Sequence, residues 1–425
     1  MSRSANLPTV ADVVIVGGGT SGAVLARRLA DDPERSVILL EAGPSDEGHL
    51  GVLTLRDWLE LFDSEVSVPY PVELRPQANS DLLHSRGRIP GGCSSHNACI
   101  ALRAPDQDLE RWRSSGADGW RPAETAGAWG RVLAAVAVSA STTPNPLAAA
   151  AVEAGRQLGL PLIDAWGPAV PRGIGWLPLN VRDGVRQSSS VAYLHPLAGV
   201  PANLTILTGM PAKCVEIDPH GRAVAVCTEV GPILANREVV LCAGAFETPK
   251  LLMLSGVGPA RQLRDHGISP LVDLPGVGEH LIDHPESLIT WEAARPVPDE
   301  ADSLWEVGLF AETSAGLTMA HVGMKPVVLA DGVPPAHGLS ITPNVPYARS
   351  QGSVRLRSAD PAIKPLADPC LGRPAATSRF EVAAREVADA LAPKDDSRAS
   401  AALRRRLAIT LLTRALARAT DRAAA

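Results

Sequence analysis

The sequence has no apolar run as long as the about 18 residues that a membrane-spanning helix requires. Its first residues, MSRSANLPTVAD, lack the apolar core of a secretory signal peptide. Basic residues form no dense patch in the globular part, and the net charge of -6 argues against a nucleic-acid partner. These absences predict a cytoplasmic protein without a membrane span.

The cysteines show no spacing that is typical of a metal site. The sequence has 6 cysteines but no Cys-x-x-Cys pair, and no cluster of paired histidines accompanies them. We therefore expect neither a zinc site nor a disulfide scaffold, and no other metal site is indicated. The cysteines are Cys93, Cys99, Cys214, Cys227, Cys242 and Cys370.

The chain does contain enough apolar material for a large core. Its 425 residues are 45% hydrophobic and 20% charged, and no internal repeat is visible. A chain of this length and composition is expected to form two intertwined domains.

A strand, a glycine-rich turn and a helical pattern follow one another near the start of the chain. The apolar residues 13–16 lead into GGGTSG at residues 17–22. In a dinucleotide-binding unit the first glycine permits the tight turn, the second lets a pyrophosphate approach, and the third lets the helix pack closely. An acid at the end of the next apolar strand accepts hydrogen bonds from the ribose. The predicted cofactor residues are Gly17, Gly19, Thr20, Ser21, Gly22 and Glu41, and the alternative is an ordinary glycine-rich turn.

Longer segments select among the dinucleotides. Residues 91–97 read GGCSSHN, with Arg103, Asp106, Asp108 and Trp112 behind them, and residues 244–258 read GAFETPKLLMLSGVG. Both resemble the signatures of the glucose-methanol-choline (GMC) oxidoreductases, above all of the members that oxidise choline. Residues 188–196, 275–286 and 339–357 agree as well, so the resemblance runs from about residue 11 to residue 369.

The resemblance implies an α/β fold in which a Rossmann-like FAD-binding domain is interleaved with an α+β substrate domain built on a mixed sheet. It places the FAD-binding domain at residues 1–139 and 181–285, and the substrate domain at residues 140–180 and 286–395. An Ala/Arg-rich tail follows at residues 396–425. Within the FAD-binding domain, residues 108–133 read as helical, and residues 204–218 and 238–254 read as strands and a helix.

The histidine of GGCSSHN is the most informative residue of the chain. The resemblance implies that FAD is present and that His96 carries it through a covalent bond to the 8α-methyl group of the isoalloxazine. Taken alone, a histidine after two serines is more often a surface or hydrogen-bonded core residue. Small residues elsewhere permit close approach to the cofactor. The further cofactor residues are Gly91, Gly92, Ser95, Asn97, Ala243 and Gly244.

The implied substrate is a small alcohol, in particular a quaternary ammonium such as choline, which is oxidised to betaine aldehyde and glycine betaine. Molecular oxygen or another acceptor then reoxidises the flavin, and a homodimer is compatible with the resemblance. Trp58 and Trp305 could offer aromatic faces to the cation and Glu286 a carboxylate, although core packing and a solvated acid are the ordinary interpretations. His321 matches a further pocket histidine and is the candidate catalytic residue, with a structural role equally open.

The sequence also departs from the family pattern. Ala98 stands where a serine is expected near the flavin, and residues 129–146 are shorter than the pattern. The His-Pro-x-Gly-Thr and Asn-Pro-Asn segments that carry the family's catalytic pair are missing, and no histidine follows His337.

Residues 393–425 are instead rich in Ala, Arg and Leu, which predicts a solvated helix or tail, or alternatively a basic helix that binds a membrane or a partner. Two functions remain open for the chain. One is an FAD-dependent alcohol oxidoreductase. The other is a C-terminally incomplete and catalytically impaired flavin-binding remnant, with a flavin-free structural role a distant third.

Overall fold

The structure is a computed structural model that describes residues 7–369 except 57, 73–82, 141–144, 165, 196–198, 287, 298–302, 314–315 and 324–334. The predicted tail at 396–425, the end of the predicted substrate segment at 370–395 and Cys370 lie outside the described residues.

The first part of the chain alternates strands with short helices. Its strands are β1 (Val10–Val16), β2 (Val37–Leu40), β3 (Ser67–Pro71), β4 (Leu83–Gly87), β5 (Ser139–Ala140), β6 (Gly173–Trp176), β7 (Pro178–Leu179), β8 (Val181–Arg182) and β9 (Val185–Arg186). Its α-helices are α1 (Thr20–Leu29), α2 (Leu50–Leu53), α3 (Asp106–Ser114), α4 (Pro122–Ala135), α5 (Pro146–Gln157) and α6 (Ser189–Tyr193), and Trp58–Asp63 and Gly92–Ser95 form 3-10 turns.

The second part is richer in strands. These are β10 (Leu204–Leu207), β11 (Cys214–Ile217), β12 (Ala223–Thr228), β13 (Gly231–Leu241), β14 (Val257–Gly258), β15 (Val272–Asp273), β16 (Glu279–Leu281), β17 (Ile289–Glu292), β18 (Trp305–Thr313), β19 (Gly316–Gly323), β20 (Gly338–Asn344), β21 (Gly352–Arg355) and β22 (Leu366–Asp368). The helices are α7 (Gly244–Leu254) and α8 (Ala260–Asp265). None of the helices in the described ranges is long and apolar enough to cross a membrane.

A six-stranded mixed sheet, the first sheet, is ordered β10-β2-β1-β13-β12-β11. The neighbours from β10 to β13 are parallel, whereas β12 and β11 continue as antiparallel strands. The parallel strands are almost wholly apolar because both of their faces are buried. On one face α1 packs through Ala23 and Ala26, and on the other Leu251 of α7 joins the core. The strand, turn and helix predicted from residues 13–22 are confirmed.

A separate sheet of five strands, the second sheet, is ordered β17-β20-β19-β18-β6. Its strand pairs are antiparallel, and a parallel bridge from Leu162 to Ile174 extends it beyond β6. Helix α5 covers one face with apolar contacts. Every second residue of β20 is buried, and the buried set includes the polar Ser340, Thr342 and Asn344. The predicted domain boundaries stay a prediction.

Two local expectations differ from the structure. The helical pattern over residues 108–133 is divided into α3 and α4, because Gly116 and Gly119 adopt the left-handed φ values 100° and 85° that end a helix. Cys214 and Cys227 lie opposite each other on β11 and β12 and form a disulfide, with their Cα atoms 5.2 Å apart. This pairing depends on hairpin register, which cysteine spacing alone does not reveal.

Candidate active site

The glycine-rich turn connects β1 to α1 through contacts that leave no room for side chains. Gly17 has φ +99°, and a Cβ atom there would lie 2.5 Å from the Cys242 carbonyl oxygen. A Cβ atom on Gly22 would lie 1.9 Å from the carbonyl oxygen of Gly17. At Gly19, by contrast, the nearest atom would be 3.8 Å away, so the protein itself does not require a glycine there. An approaching ligand is a physical reason for that third small residue.

The first turn of α1 is suited to an anion. The helix begins at Thr20 after Gly19, and no side chain caps it. Its first backbone N–H groups therefore remain available, and the helix dipole favours negative charge at this end. Thr20 and Ser21 are exposed, and the Thr20 hydroxyl donates to the Gly91 carbonyl at 3.3 Å. These groups fit the pyrophosphate of a dinucleotide.

Glu41, at the end of β2, is buried and accepts two backbone hydrogen bonds. Its carboxylate oxygens accept from the N–H groups of Gly18 and Gly43, each at 2.8 Å. Burial raises the pKa of this carboxyl, and the hydrogen bonds from Gly43 and Gly18 oppose the shift. Each oxygen keeps a second lone pair that a ribose hydroxyl can use.

The second glycine pair lies directly against the first turn. The Gly91 N–H donates to the Gly18 carbonyl at 2.7 Å, and a Cβ on Gly92 would lie 2.9 Å from the Cα of Gly19. The end of β13 joins them, because a Cβ on Gly17 would lie 2.9 Å from the Ala243 Cα. Gly244 then starts α7 at φ +83° with open space beside it. The structure thus brings the three predicted cofactor segments together.

His96 ends the Gly92–Ser95 turn and is only 4% exposed. Its Nε2 atom is buried and has no hydrogen-bond partner among the described residues. Burial lowers the pKa of the imidazole to about 4, and the charges of Arg186 and Arg86 add to this, against a hydrogen bond with the Leu61 backbone. At neutral pH the ring is therefore uncharged, and the lone pair of one nitrogen is unused. That state fits a nucleophile that bonds to a flavin.

The neighbours of His96 in the sequence stabilise the loop itself. The Ser95 hydroxyl donates to the Pro90 carbonyl at 2.7 Å, and the Asn97 side-chain oxygen accepts from the Cys99 N–H at 3.0 Å. Their predicted role toward the cofactor remains a prediction, because these polar atoms are engaged within the protein.

One further residue that contacts this loop is not among the residues predicted from the sequence. Arg186, at the end of β9, is fully buried, and its guanidinium donates to backbone carbonyls of Val52, Ser94 and Asn97. In the sequence, Arg186 is marked only by its position two residues before segment 188–196, which matches the family pattern.

The two predicted substrate tryptophans belong to one buried cluster. Trp58 and Trp305 are 8% and 7% exposed, and the Trp58 indole N–H donates to the Ser303 carbonyl at 2.7 Å. The Phe62 ring lies edge-on between Trp58 and His96, with centroid distances of 5.7 and 4.7 Å. Core packing, the ordinary interpretation, is therefore part of what these rings do, and their cluster adjoins the His96 loop.

Glu286 lies at the edge of the second sheet, where it forms a bridge with Asn344. The residue is exposed to solvent. Desolvation raises the pKa of the carboxyl to about 7, with a smaller increase from Asp283, while a hydrogen bond from Asn344 lowers it. Near neutral pH this group changes charge, so its state responds to a bound cation.

His321 lies on strand β19 of the second sheet. It pairs with Thr342 in register, and its Nδ1 atom lies 3.3 Å from the Thr342 hydroxyl. The Trp305 ring centroid is 6.1 Å from the imidazole. Burial lowers the pKa of His321 to about 4, and the charge of His284 adds to this. The ring is neutral at pH 7 and can accept a proton.

A cavity of about 540 Å³ opens beside these residues without including them. Its lining includes His284, Phe310, Met319 and Tyr347. Met319 pairs with Asn344, the residue that bonds Glu286, so the cavity adjoins the Glu286 end of the sheet. Trp58, Glu286, Trp305 and His321 do not line it.

Comparison with known proteins gives related sequences. The family model of the GMC oxidoreductases matches residues 11–286. A choline oxidase from Arthrobacter globiformis is 42% identical over 391 residues, which are 84% of this chain and 71% of that protein. An oxygen-dependent choline dehydrogenase from Brucella melitensis is 32% identical over 405 residues, 84% of this chain and 73% of that protein.

Solved structures with the same fold cover nearly the whole chain. Pyridoxine 4-oxidase from Mesorbium loti has a TM-score of 0.82 at 27% identity, covering 95% of this chain and 86% of that one. Formate oxidase has a TM-score of 0.78 at 21% identity, covering 95% and 87%, and supports the fold alone.

Proposed function

This chain belongs to the GMC oxidoreductase family, and on that basis we propose that it oxidises a quaternary ammonium alcohol, choline in the first place, to betaine aldehyde and glycine betaine. Family membership confirms the predicted fold class and the predicted FAD. The protein is an FAD-dependent oxidoreductase that acts on alcohols. Bound FAD supplies the acceptor for the hydride of the alcohol.

The residues of the first sheet hold the cofactor in this proposal. The N-terminus of α1 binds the pyrophosphate, Glu41 binds the ribose, and Gly91, Gly92, Ala243 and Gly244 leave room for the flavin. His96 forms the covalent bond to the 8α-methyl group. Its buried and unpartnered Nε2 supports this assignment, because a buried polar atom normally has a partner.

The edge of the second sheet recognises the substrate. A trimethylammonium group donates no ordinary hydrogen bonds, so charge and aromatic faces must hold it. Glu286 supplies the charge, and Trp58 and Trp305 supply the faces, each contributing about 0.5 to 2 kcal/mol. The observation that carries the proposal is the position of Glu286, a solvent-accessible acid that is held at the edge of the second sheet by its bridge to Asn344. Desolvation raises the pKa of this carboxyl to about 7, so it is charged in part at neutral pH. The choline-acting relatives support the same substrate class.

His321 accepts the hydroxyl proton in this proposal. Its ring is neutral at pH 7, but a pKa of about 4 gives little driving force for removing a proton from an alcohol. We therefore expect slow turnover. Dioxygen or another acceptor closes the cycle.

The test is a visible spectrum of the purified protein before and after anaerobic addition of choline. We expect a yellow protein whose flavin bleaches with choline and not with the neutral isostere 3,3-dimethylbutanol at the same concentration. Bleaching by both alcohols at equal rates would contradict recognition of the charge. Choline binding without any bleaching would instead favour the alternative, a flavin-binding protein without turnover.

A further inference from the structure

Arg186 is a buried cation whose hydrogen bonds go to the His96 loop and its surroundings. Its relative exposure is 0%, and no carboxylate lies within ion-pair distance of it in the described ranges of the chain. A guanidinium remains protonated in proteins, so this charge is permanent. Burying an unpaired charge costs free energy, and an apolar side chain would fill the same space without that cost. Packing alone therefore does not explain an arginine at this position.

The contacts of Arg186 converge on the turn that carries His96. One guanidinium nitrogen, Nη1, donates to the carbonyl of Asn97 and lies 3.4 Å from that of Ser94. The same nitrogen lies 3.1 Å from the Cys99 sulfur, while Nε donates to the Val52 carbonyl at 2.8 Å. His96 is therefore held from both of its flanks in the sequence, and its backbone has little freedom to turn the ring.

The charge of Arg186 also acts on the His96 ring. The charged groups that face the imidazole are Arg186 on β9 and Arg86 on β4, and both disfavour a protonated ring. Burial raises the pKa of the neighbouring Cys99 thiol to about 11, so this group adds no negative charge. The Phe62 ring and the Leu61 backbone complete the surroundings.

We propose that Arg186 is a positioning residue for attachment of the flavin: it fixes the His96 loop by its carbonyls and adds to the burial that disfavours a charged imidazole, so that Nε2 can form the bond. The inference rests on the proposed covalent link at His96. In that step Nε2 gives its lone pair to a new bond with the 8α carbon. One hydrogen of the methyl group and one imidazole proton are lost, while two electrons pass through the flavin to dioxygen, which becomes hydrogen peroxide.

The experiment follows attachment of FAD to protein prepared without flavin, measured as colour that stays with acid-precipitated protein at pH 5 to 8. In the unmodified chain we expect a rate that changes little across this range, because the pKa of His96 lies at about 4. Arg186→Gln should attach slowly. Loss of this charge should raise the pKa of His96 from about 4, with burial and Arg86 still opposing protonation, so the rate of this variant should fall toward pH 5. Arg186→Lys keeps the charge but not the fork of donors, so it should be at least about tenfold slower with an unchanged pH profile.

Arg86→Gln is the matched control. Arg86 stacks 4.8 Å above the Phe246 ring and makes no hydrogen bond to the His96 loop among the described contacts. The rate of FAD attachment should therefore change less in Arg86→Gln than in Arg186→Gln. Noncovalent FAD binding by each variant reports whether it folds. If Arg186→Gln does not fold, the rate of Arg186→Lys decides, and a rate equal to that of the unmodified chain overturns the proposal.

Two outcomes separate the claims. FAD that is extracted freely from the unmodified protein, as it is from His96→Ala, would remove the covalent link and this inference with it. FAD that attaches to the unmodified chain and to both Arg186 variants at one rate and with one pH profile would remove only the role of Arg186.

Discussion

At the scale of single residues, burial sets the chemistry of the candidate site. Glu286 and His321 pair with Asn344 and Thr342, which are two residues apart on β20, and desolvation favours the neutral form of each. The same effect makes an acid that is half ionised near pH 7 and a histidine that is neutral there. A carboxyl whose pKa lies near 7 and a neutral acceptor are the features of a site that moves protons and senses charge.

The first prediction concerns the pH dependence of cation binding. Glu286 is charged above its pKa of about 7, so choline should bind about tenfold more tightly at pH 8 than at pH 6. Calorimetry on the unmodified protein measures the affinity for choline at both pH values. Glu286→Gln should weaken choline binding and lose the pH dependence, while binding of 3,3-dimethylbutanol should depend on neither. Equal losses for both ligands would mean that Glu286 supports the fold and does not recognise charge.

The second prediction concerns His321 as the proton acceptor. Its replacement by alanine should slow anaerobic flavin reduction by choline by about 10² to 10⁴-fold, the usual effect of losing a general base. His280→Gln is the control, since that exposed histidine only bonds Gln351 at 2.7 Å. A stopped-flow rate for His321→Ala equal to that of the control would assign the base to another group.

At the scale of elements, close backbone approaches shape the cofactor site. The strand β1 ends beside β13, and α1 starts immediately after a turn in which Gly17 and Gly22 almost touch. Among the glycines of this turn, only Gly19 has room for a side chain, and in the proposed binding mode the dinucleotide takes up that room. The glycines of one motif thus differ in their physical reasons.

The third prediction separates these reasons with two matched variants. Gly22→Ala places a Cβ 1.9 Å from a carbonyl oxygen and should lower the free energy of unfolding by at least about 1 to 3 kcal/mol, even without FAD. Gly19→Ala, with 3.8 Å of space, should leave the flavin-free protein about as stable but weaken FAD binding. Chemical denaturation without FAD and a titration with FAD measure the two effects. The reverse pattern would contradict the placement of the pyrophosphate.

Much of this site could be predicted from sequence motifs. The features that depend on packing between distant segments could not. The order of β1, turn and α1 follows from local apolar runs and glycines, whereas the contact of Gly18 with Gly91 is seen only in the structure. Arg186 could not be predicted because its partners are backbone carbonyls, which every residue has and which leave no pattern in the sequence. The Cys214–Cys227 disulfide escaped because it depends on hairpin register. The burial of Trp58 and Trp305 depends on packing between segments that lie far apart in the sequence.

At the scale of the whole molecule, contacts between distant segments connect the parts. Trp58 bonds to Ser303 across 245 positions of sequence, and His195 bonds to Asp46 across 149. The second pair fixes the chain after α6 to the loop after β2. The hydrogen bond with Asp46 raises the pKa of His195, against the effect of burial. This raised pKa makes part of the stability of the fold dependent on pH.

The fourth prediction follows from the sign of that shift. Because the folded pKa exceeds the unfolded value of about 6.5, the stabilising contribution of His195 is fully present below that pH and is lost as pH rises through the folded pKa. Urea denaturation should therefore show that His195→Gln destabilises the protein more at about pH 6 than at about pH 8.5. The exposed His220→Gln serves as the control, and an equal effect of His195→Gln at both pH values would rule out the charged pair.

The order of the first sheet also has a consequence for synthesis on the ribosome. Strand β1 lies between β2 and β13, and β10 closes the far side of β2, so two of the four parallel strands come from residues 204–241. At translation speeds of about 5 to 20 residues per second, β1 and β2 wait roughly 10 to 40 s for these neighbours. Strand β6 of the second sheet is made during that interval. The nascent chain therefore exposes apolar strand edges until late, and the first sheet can be completed only after strand β6 of the second sheet has been synthesised.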